Sequence, residues 1–341
     1  MKGITVSKKN YFICAMLLAL AGSMFAAPDA ASVRAASCDH ACLIGFADQY
    51  MAALVAHDPT RLPVATTVKY TENTATMPLG DGLWVGASEL PQTFKIYAAD
   101  PVTQQVGFYG VMKEFDKPII FALRLKVEDQ RITEIEHVVV RDLQPMNMPN
   151  LAVTRRGFLE VVPPAERVSR GQMLAIADSY FESIEKNNGD LAPFADDCER
   201  HENGLQTTTN KTPPPNPMAN LGQEAATAFA KIGALGCHDS MNTHAFSYID
   251  RIRPRRLEIV DEELGLVFGL PMFHHRGNVR SIKIVGVPGV GTMPMPFGPM
   301  DLQAVEIFKI RGGKIHEIEA GGYTLPYNSK TGWEPIWYVA P

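Results

Sequence analysis

Several motifs that identify a common chemistry are missing from this sequence of 341 residues. It has no Gly-x-Ser-x-Gly nucleophile motif, and the glycines at 286–291 lack the strand-then-helix context of a dinucleotide turn. The His201-Glu202 pair has no second histidine at the spacing of a zinc-protease helix, and no histidine lies at ligand spacing beside the cysteines. We therefore expect no cofactor and no metal.

Positive charge is in deficit, and long apolar runs are scarce. The sequence has 32 Lys and Arg against 37 Asp and Glu, a net charge of −5, which argues against a nucleic-acid partner. The apolar run at 11–20 follows several lysines and is too short to cross a membrane. Residues 1–37 are therefore predicted to be a signal peptide and leader. We expect the mature protein to be periplasmic or secreted, without membrane association.

The sequence has few cysteines, and their number and positions are consistent with an exported protein. One of the five cysteines, Cys14, falls in the predicted signal peptide. Cys38, Cys42, Cys198 and Cys237 remain, and an even number in an oxidising compartment indicates two disulfides. Four cysteines allow three pairings. We favour Cys38–Cys42 at the start of a helix and Cys198–Cys237 closing an insertion.

The chain contains a weak internal repeat. Residues 46–73 align without a gap over 176–203, and residues 126–136 align over 309–319. The matched positions include Tyr50 with Tyr180 and Glu72 with Glu202. The repeat predicts one fold used twice. The predicted domains are a first copy at 38–150, a linker at 151–169, and a second copy with an insertion and C-terminal tail at 170–341.

Each copy is expected to begin with a helix and continue as antiparallel strands, which is an α+β arrangement. Helices are predicted from about 38 to 55, at the start of the second copy, and at 219–235. Strands are predicted at 104–115, 118–128, 131–141, 243–251, 255–261, 264–275, 302–311 and 314–320. A curved sheet around a helix leaves a conical cavity, which suits one small ligand.

Three phrases carry a family resemblance: CDHACLIGFADQYMAALVAHDP, KYTENTATMPLGDGLW and RPRRLEIVDEELGLVFGLPMFHHRG. They resemble the NTF2-like (SnoaL-like) superfamily, and within it a poorly characterised exported tandem group. The resemblance implies two cone-shaped curved antiparallel sheets with helices. It also implies a small-molecule ligand, because the superfamily includes isomerases, dehydratases, cyclases, lyases and plain binding proteins. A homodimer is one assembly that we consider.

The candidate catalytic residues lie in the second copy. His201 stands beside Glu202 only there, and histidine is suited to proton transfer near neutral pH. Alternatively, the Glu-Asn pair of each copy caps a turn. His274 continues the apolar face of Leu266, Phe268, Leu270 and Met272, while His275 points the other way. If that face lines the cavity, His274 is an acid or base; if it is packed, His274 is a satisfied core histidine.

The candidate substrate-binding residues are more scattered. Arg256 is expected to bind a carboxylate or phenolate, or else to pair with nearby acids. Tyr70 and Trp84 either stack on an aromatic ring or cover the core. Met293 and Phe297 suit a lid. The remaining candidates are Glu72, His244 and Tyr248.

Two functions are consistent with these features. The first is an exported cofactor-independent enzyme that abstracts a proton from a small apolar, aromatic or polyketide-like molecule, acting as a lyase, dehydratase or isomerase. The second is a non-catalytic periplasmic protein that binds such a molecule.

Overall fold

The computed structural model describes residues 37–213 and 222–334. The predicted signal peptide and leader lie outside this part of the chain, apart from Ser37. The described residues belong to one compact unit, Ala36–Pro341. None of the helices in the described segments is long and apolar enough to span a membrane.

The first half of the fold is a helix followed by a sheet. Helix α1 begins after Asp39, whose carboxylate accepts the backbone N–H of Cys42, and it buries its apolar stripe against the sheet. The elements are α1 (His40–Val55), β1 (Val64–Glu72), β2 (Ala75–Thr76), α2 (Leu83–Gly86), β3 (Ala87–Glu89), β4 (Lys95–Asp100), β5 (Gln105–Glu114), β6 (Lys117–Glu128) and β7 (Arg131–Val140). A short 3-10 helix, Pro59–Arg61, links α1 to β1.

A crossing segment of three 3-10 helices, Pro145–Leu151, Arg156–Leu159 and Pro164–Glu166, connects the halves. Helix α3 then starts with a capping box between Ser169 and Gln172. The second half contains α3 (Arg170–Lys186), β8 (Phe194–Glu202), β9 (Leu205–Gln206), α4 (Gln223–Gly233), α5 (Cys237–Met241), β10 (Arg251–Ile252), β11 (Leu257–Asp261), β12 (Leu266–Gly269), β13 (Met272–His275), β14 (Ser281–Lys283), β15 (Thr292–Pro294), β16 (Met300–Arg311) and β17 (Lys314–Pro326). The 3-10 helix Gly189–Leu191 precedes β8.

The two large sheets have corresponding strand orders. In the first sheet β1 pairs in parallel with β7, and β7, β6 and β5 follow as antiparallel neighbours. In the second, β8 pairs in parallel with β17, which continues to β16 and then to both β12 and β13. The structure is thus mixed α+β with curled sheets and few helices.

Of the four apolar clusters among the described residues, three involve the two large sheets. One lies between α1 and the first sheet, and a second lies between α3 and the second sheet. The third joins the outer faces of the sheets, with Ile96, Tyr109 and Val138 from the first half against Phe268 and Val305 from the second. Both faces of each sheet are therefore buried over much of their area, which removes water from the interface.

Both predicted disulfides are present, Cys38–Cys42 and Cys198–Cys237. Such bonds indicate an oxidising compartment. One predicted element is wrong: residues 243–251 form turns, with only Arg251 in a strand, because the chain leaving α5 folds as successive turns. The predicted strand at 264–275 is split into β12 and β13, both of which pair with β16.

Candidate functional site

The second half encloses a cavity between its sheet and the insertion. An outer chamber of about 370 Å³ lies within the size range of small-molecule sites. It adjoins a narrower inner cavity of about 40 Å³ that reaches the second sheet. Arg200, Glu202, Phe246 and Tyr248 line both spaces. Because they share these wall residues, we treat the two spaces as one site, with an apolar outer part and a more polar inner end.

Small side chains on the second sheet open the inner cavity. Strand pairing places His137 opposite Glu72 in the first sheet and Ala320 opposite Glu202 in the second. At the next aligned pair, Phe121 and Val139 of the first sheet correspond to Ala304 and Gly322 of the second. In the first half these larger side chains fill the core. In the second half Ala304, Ala320 and Gly322 leave space there and line the inner cavity.

Arg200 fixes one wall of the inner cavity. Its Nε donates to the hydroxyl of Tyr180 on α3 at 2.7 Å, and one terminal nitrogen donates to Oγ1 of Thr207 at 3.0 Å. The other terminal nitrogen donates to a carboxylate oxygen of Glu202 at 2.8 Å. Asn203 next holds the strand end, exchanging two side-chain hydrogen bonds with the backbone of Gly322. Glu202 is thus held at the cavity through its ion pair with Arg200.

Glu306 on β16 is a buried acid at the inner end. It is 1% exposed, and its Oε2 has no hydrogen-bond partner among the described residues. Burial raises the pKa of Glu306 to about 8, in spite of the nearby guanidinium of Arg200. At neutral pH the carboxyl group is therefore mainly protonated. A neutral acid with an unused oxygen, placed at a cavity, can donate a proton or a hydrogen bond.

His275 on β13 lies at the same end. Its ring stacks on Tyr248 with centroids 5.3 Å apart, and its Nδ1 is buried without a partner among the described residues. Burial lowers the pKa of His275, so the imidazole is neutral at neutral pH. His275 and Glu306 are both more than nine-tenths buried and both have an unused polar atom.

The predicted pairing of His201 with His274 is not found, because neither ring lines the cavity. His201 pairs with Glu319 across β8 and β17, on the opposite side of the sheet from Arg200 and Glu202, and bonds Glu199 at 2.9 Å. His274 bonds Asp301 and the Arg253 carbonyl, both at 2.7 Å. The apolar face that His274 continues packs against the first sheet, so His274 is a satisfied core histidine.

The candidates in the first half are packed rather than open. Tyr70, Glu72 and Trp84 are at most 5% exposed. Glu72 accepts hydrogen bonds from the Leu83 backbone at 2.7 Å and from Arg141 at 2.8 Å. Trp84 donates to the hydroxyl of Tyr50, which bonds His137 at 2.8 Å. These groups form an internal network that leaves no surface for a ligand, contrary to their predicted substrate-binding role.

Two further residues that were predicted to bind substrate lie away from the cavity. Arg256 pairs with Glu136 of the first sheet, so its charge is used in joining the sheets. His244 is exposed in a turn away from the cavity lining. Tyr248, Met293 and Phe297 lie in the cavity wall. Met293 packs with the insertion core, which fixes the hairpin β14–β15 over the chamber.

The sequence interpretation missed Arg200, His275 and Glu306. In the sequence, Arg200 stands out only as a neighbour of His201. Glu306 had a usable signal: it interrupts the apolar alternation of Leu302, Ala304 and Phe308 on one face of a strand. Among the described residues, no group of three or more His, Cys, Asp and Glu side chains is arranged to hold a metal ion.

The fold and site thus define an α+β protein with curled sheets and a cavity lined by acid–base groups. Residues 166–321 match the profile of a family described as Domain of unknown function (DUF8021), so the match covers most of the second half, which supplies most of the cavity lining. Comparison with curated proteins finds no match.

Proposed function

We propose that this chain is an exported, cofactor-independent enzyme that moves a proton on a small, mainly apolar molecule held in the second-half cavity. The observation that carries the proposal is the unpartnered Oε2 of Glu306 at the inner end. A buried acid without a partner is costly to the fold, and such groups cluster at functional sites. The reaction class is the one expected from the sequence: lyase, dehydratase or isomerase.

In this proposal the residues divide into acid, base and positioning roles. Glu306, mainly protonated at neutral pH, donates a proton to a substrate oxygen where negative charge develops. His275, neutral and unpartnered at Nδ1, accepts a proton. Arg200 positions Glu202, which remains a candidate catalytic residue in this proposal. This assignment replaces His201 and His274, whose polar atoms are directed elsewhere.

The proposed ancestry is a duplicated NTF2-like module. The corresponding strand orders and the matched Asn73 and Asn203 caps support it, because both asparagines exchange hydrogen bonds with the last strand of their sheet. In this proposal the filled first half is structural and the second half is catalytic. The two disulfides support a periplasmic or secreted location.

The test is incubation of the protein with a panel of aromatic and carbonyl metabolites, followed by mass spectrometry for products. Glu306→Gln and His275→Phe are expected to lower turnover by about 10²-fold or more. The matched controls are His201→Ala and His274→Ala, which should retain activity in molecules that remain folded. Full activity in both cavity variants would remove the proposed mechanism.

The second candidate is a binding protein without chemistry. The apolar outer chamber, with Phe246, Met293, Met295 and Phe297 in its wall, favours it. Stoichiometric binding of a panel compound, recovered unchanged after long incubation with the wild-type protein, would support this candidate over the enzyme.

A further inference from the structure

We infer that the cavity selects uncharged molecules that carry a carbonyl oxygen and a hydroxyl group on an apolar body, and that it rejects carboxylates. The inference deepens the proposed function, because it uses the same cavity. It concerns binding only, so it can hold even if no reaction is catalysed.

The described lining of the cavity offers no unpaired cation. Among the lining residues that the structure describes, Arg200 is the only arginine or lysine. Each of its three nitrogens already donates to a protein oxygen, on Tyr180, Thr207 and Glu202. The charge of Arg200 is already paired with Glu202. A carboxylate entering this space would lose its hydration, would meet a guanidinium that has few N–H groups left, and would approach the negative charge of Glu202.

Two polar atoms at the inner end, Glu306 Oε2 and His275 Nδ1, have no hydrogen-bond partner among the described residues. Glu306 is protonated near neutral pH, so its free carboxyl oxygen can donate to an acceptor such as a carbonyl oxygen. His275 makes a hydrogen bond with the Met300 backbone that favours the charged ring. Because Nδ1 has no partner in the part of the chain that the structure describes, that bond uses Nε2 as donor, and Nδ1 is left with a lone pair. A hydroxyl group of the ligand can donate a hydrogen bond to this lone pair.

The wall of the outer chamber is mainly apolar. Phe229, Phe246, Met295 and Phe297 give it an apolar wall, with polar groups at its rim such as Asp142 and Gln144. Apolar surface removed from water there contributes the bulk of the binding free energy, and the inner end supplies the discrimination.

Three matched probes test the inference: para-hydroxyacetophenone, acetophenone and para-hydroxybenzoate. Dissociation constants would be measured by NMR titration of the full chain at pH 6, where the ketones are uncharged. We expect para-hydroxyacetophenone to bind most tightly, acetophenone more weakly, and para-hydroxybenzoate at least about tenfold more weakly than the first. Equal or tighter binding of the carboxylate, or no binding of either ketone, would overturn the inference.

Variants then locate the two contacts. Glu306→Leu carries the residue found at the corresponding position of the first sheet, Leu123, and should weaken acetophenone about tenfold. Glu306→Gln should keep the affinity. His275→Phe should remove the advantage of the hydroxyl group while leaving acetophenone unchanged. The control is Glu319→Gln, a buried acid facing away from the cavity, which should alter neither. If Glu306→Leu does not fold, the comparison of the three probes with the wild-type protein still tests the inference.

The pH dependence separates this inference from the catalytic proposal. Acetophenone has no titrating group, so its affinity for the wild-type protein should fall as the pH rises through about 8 and Glu306 loses its proton. In Glu306→Gln the affinity should stay constant. A constant wild-type affinity would show that Glu306 does not donate to the ketone. If the protein binds the ketones with the expected preference but converts none of the panel compounds, only the enzymatic proposal is contradicted.

Discussion

Arg256 and Glu136 join the two sheets through a two-pronged ion pair, with nitrogen-to-oxygen distances of 2.7 and 2.8 Å. Glu136 lies on β7, and Arg256 lies just before β11. Arg124 also donates to Glu136 at 2.9 Å, so one buried carboxylate serves two cations. Burial acts to raise the pKa of Glu136, but Arg256 and Arg124 together hold it below the ordinary range.

Glu136→Gln should therefore destabilise the protein by about 3–5 kcal/mol, because it leaves two buried cations without a full counter-charge. Guanidinium chloride unfolding at pH 7 measures the loss. The control is Glu258→Gln, which removes the more exposed partner of Arg256 and should cost less than about 1 kcal/mol. Equal losses in the two variants would contradict a special role for Glu136.

Glu306 makes stability depend on pH in the opposite direction from an ordinary paired carboxylate. Its pKa is raised from 4.5 to about 8 in the folded protein, so between these values the folded state keeps a proton that the unfolded state has lost. Stability should therefore fall as the pH rises through this window. Glu306→Gln should abolish this contribution and raise stability at pH 8 by a few kcal/mol.

Thermal unfolding across pH 4.5–8 of the wild-type protein and Glu306→Gln checks this sign. Glu262→Gln removes an exposed carboxyl group and should reproduce the wild-type slope. A Glu306→Gln curve parallel to the wild-type curve would show that Glu306 is not a buried neutral acid.

The Cys198–Cys237 disulfide fastens the insertion to β8, closing a sequence separation of 39 residues. Replacing both cysteines with alanine should destabilise the protein by about 2–4 kcal/mol and weaken ligand binding, because α5 leads into the chamber wall. The Cys38–Cys42 bond spans only 4 residues, so its removal should cost less. Denaturant unfolding without reducing agent compares the two double variants; a larger loss from the shorter loop would contradict this account.

Ala304→Phe should fill the inner cavity. It restores the residue that the first sheet has at the corresponding position, Phe121, which lies in a packed core. We expect loss of ketone binding with the fold retained, and a melting temperature within a few degrees of wild type. Ala195→Phe, at a buried position that does not line the cavity, should retain binding in any folded fraction. Normal binding in Ala304→Phe would place the ligand elsewhere.

Local patterns were sufficient for much of the secondary structure. The apolar stripes of α1 and α3 and the hairpin turns between β5, β6 and β7 are recorded in neighbouring residues, so periodicity finds them. The cysteine count and the expected compartment indicated two disulfides, and of the three possible pairings the favoured one is present. The turns at 243–251 were missed because apolar residues in a folded insertion imitate a strand.

By itself, the sequence determined that His274 and His275 point to opposite faces of one strand, since alternation is a property of the backbone. Only the tertiary structure decided which face meets the cavity. Both faces of β12 and β13 are apolar, because one packs against the first sheet and the other against α3 and the insertion. Apolar character therefore does not distinguish the two faces in the sequence. The long-range packing of the two sheets places His275, and not His274, at the site.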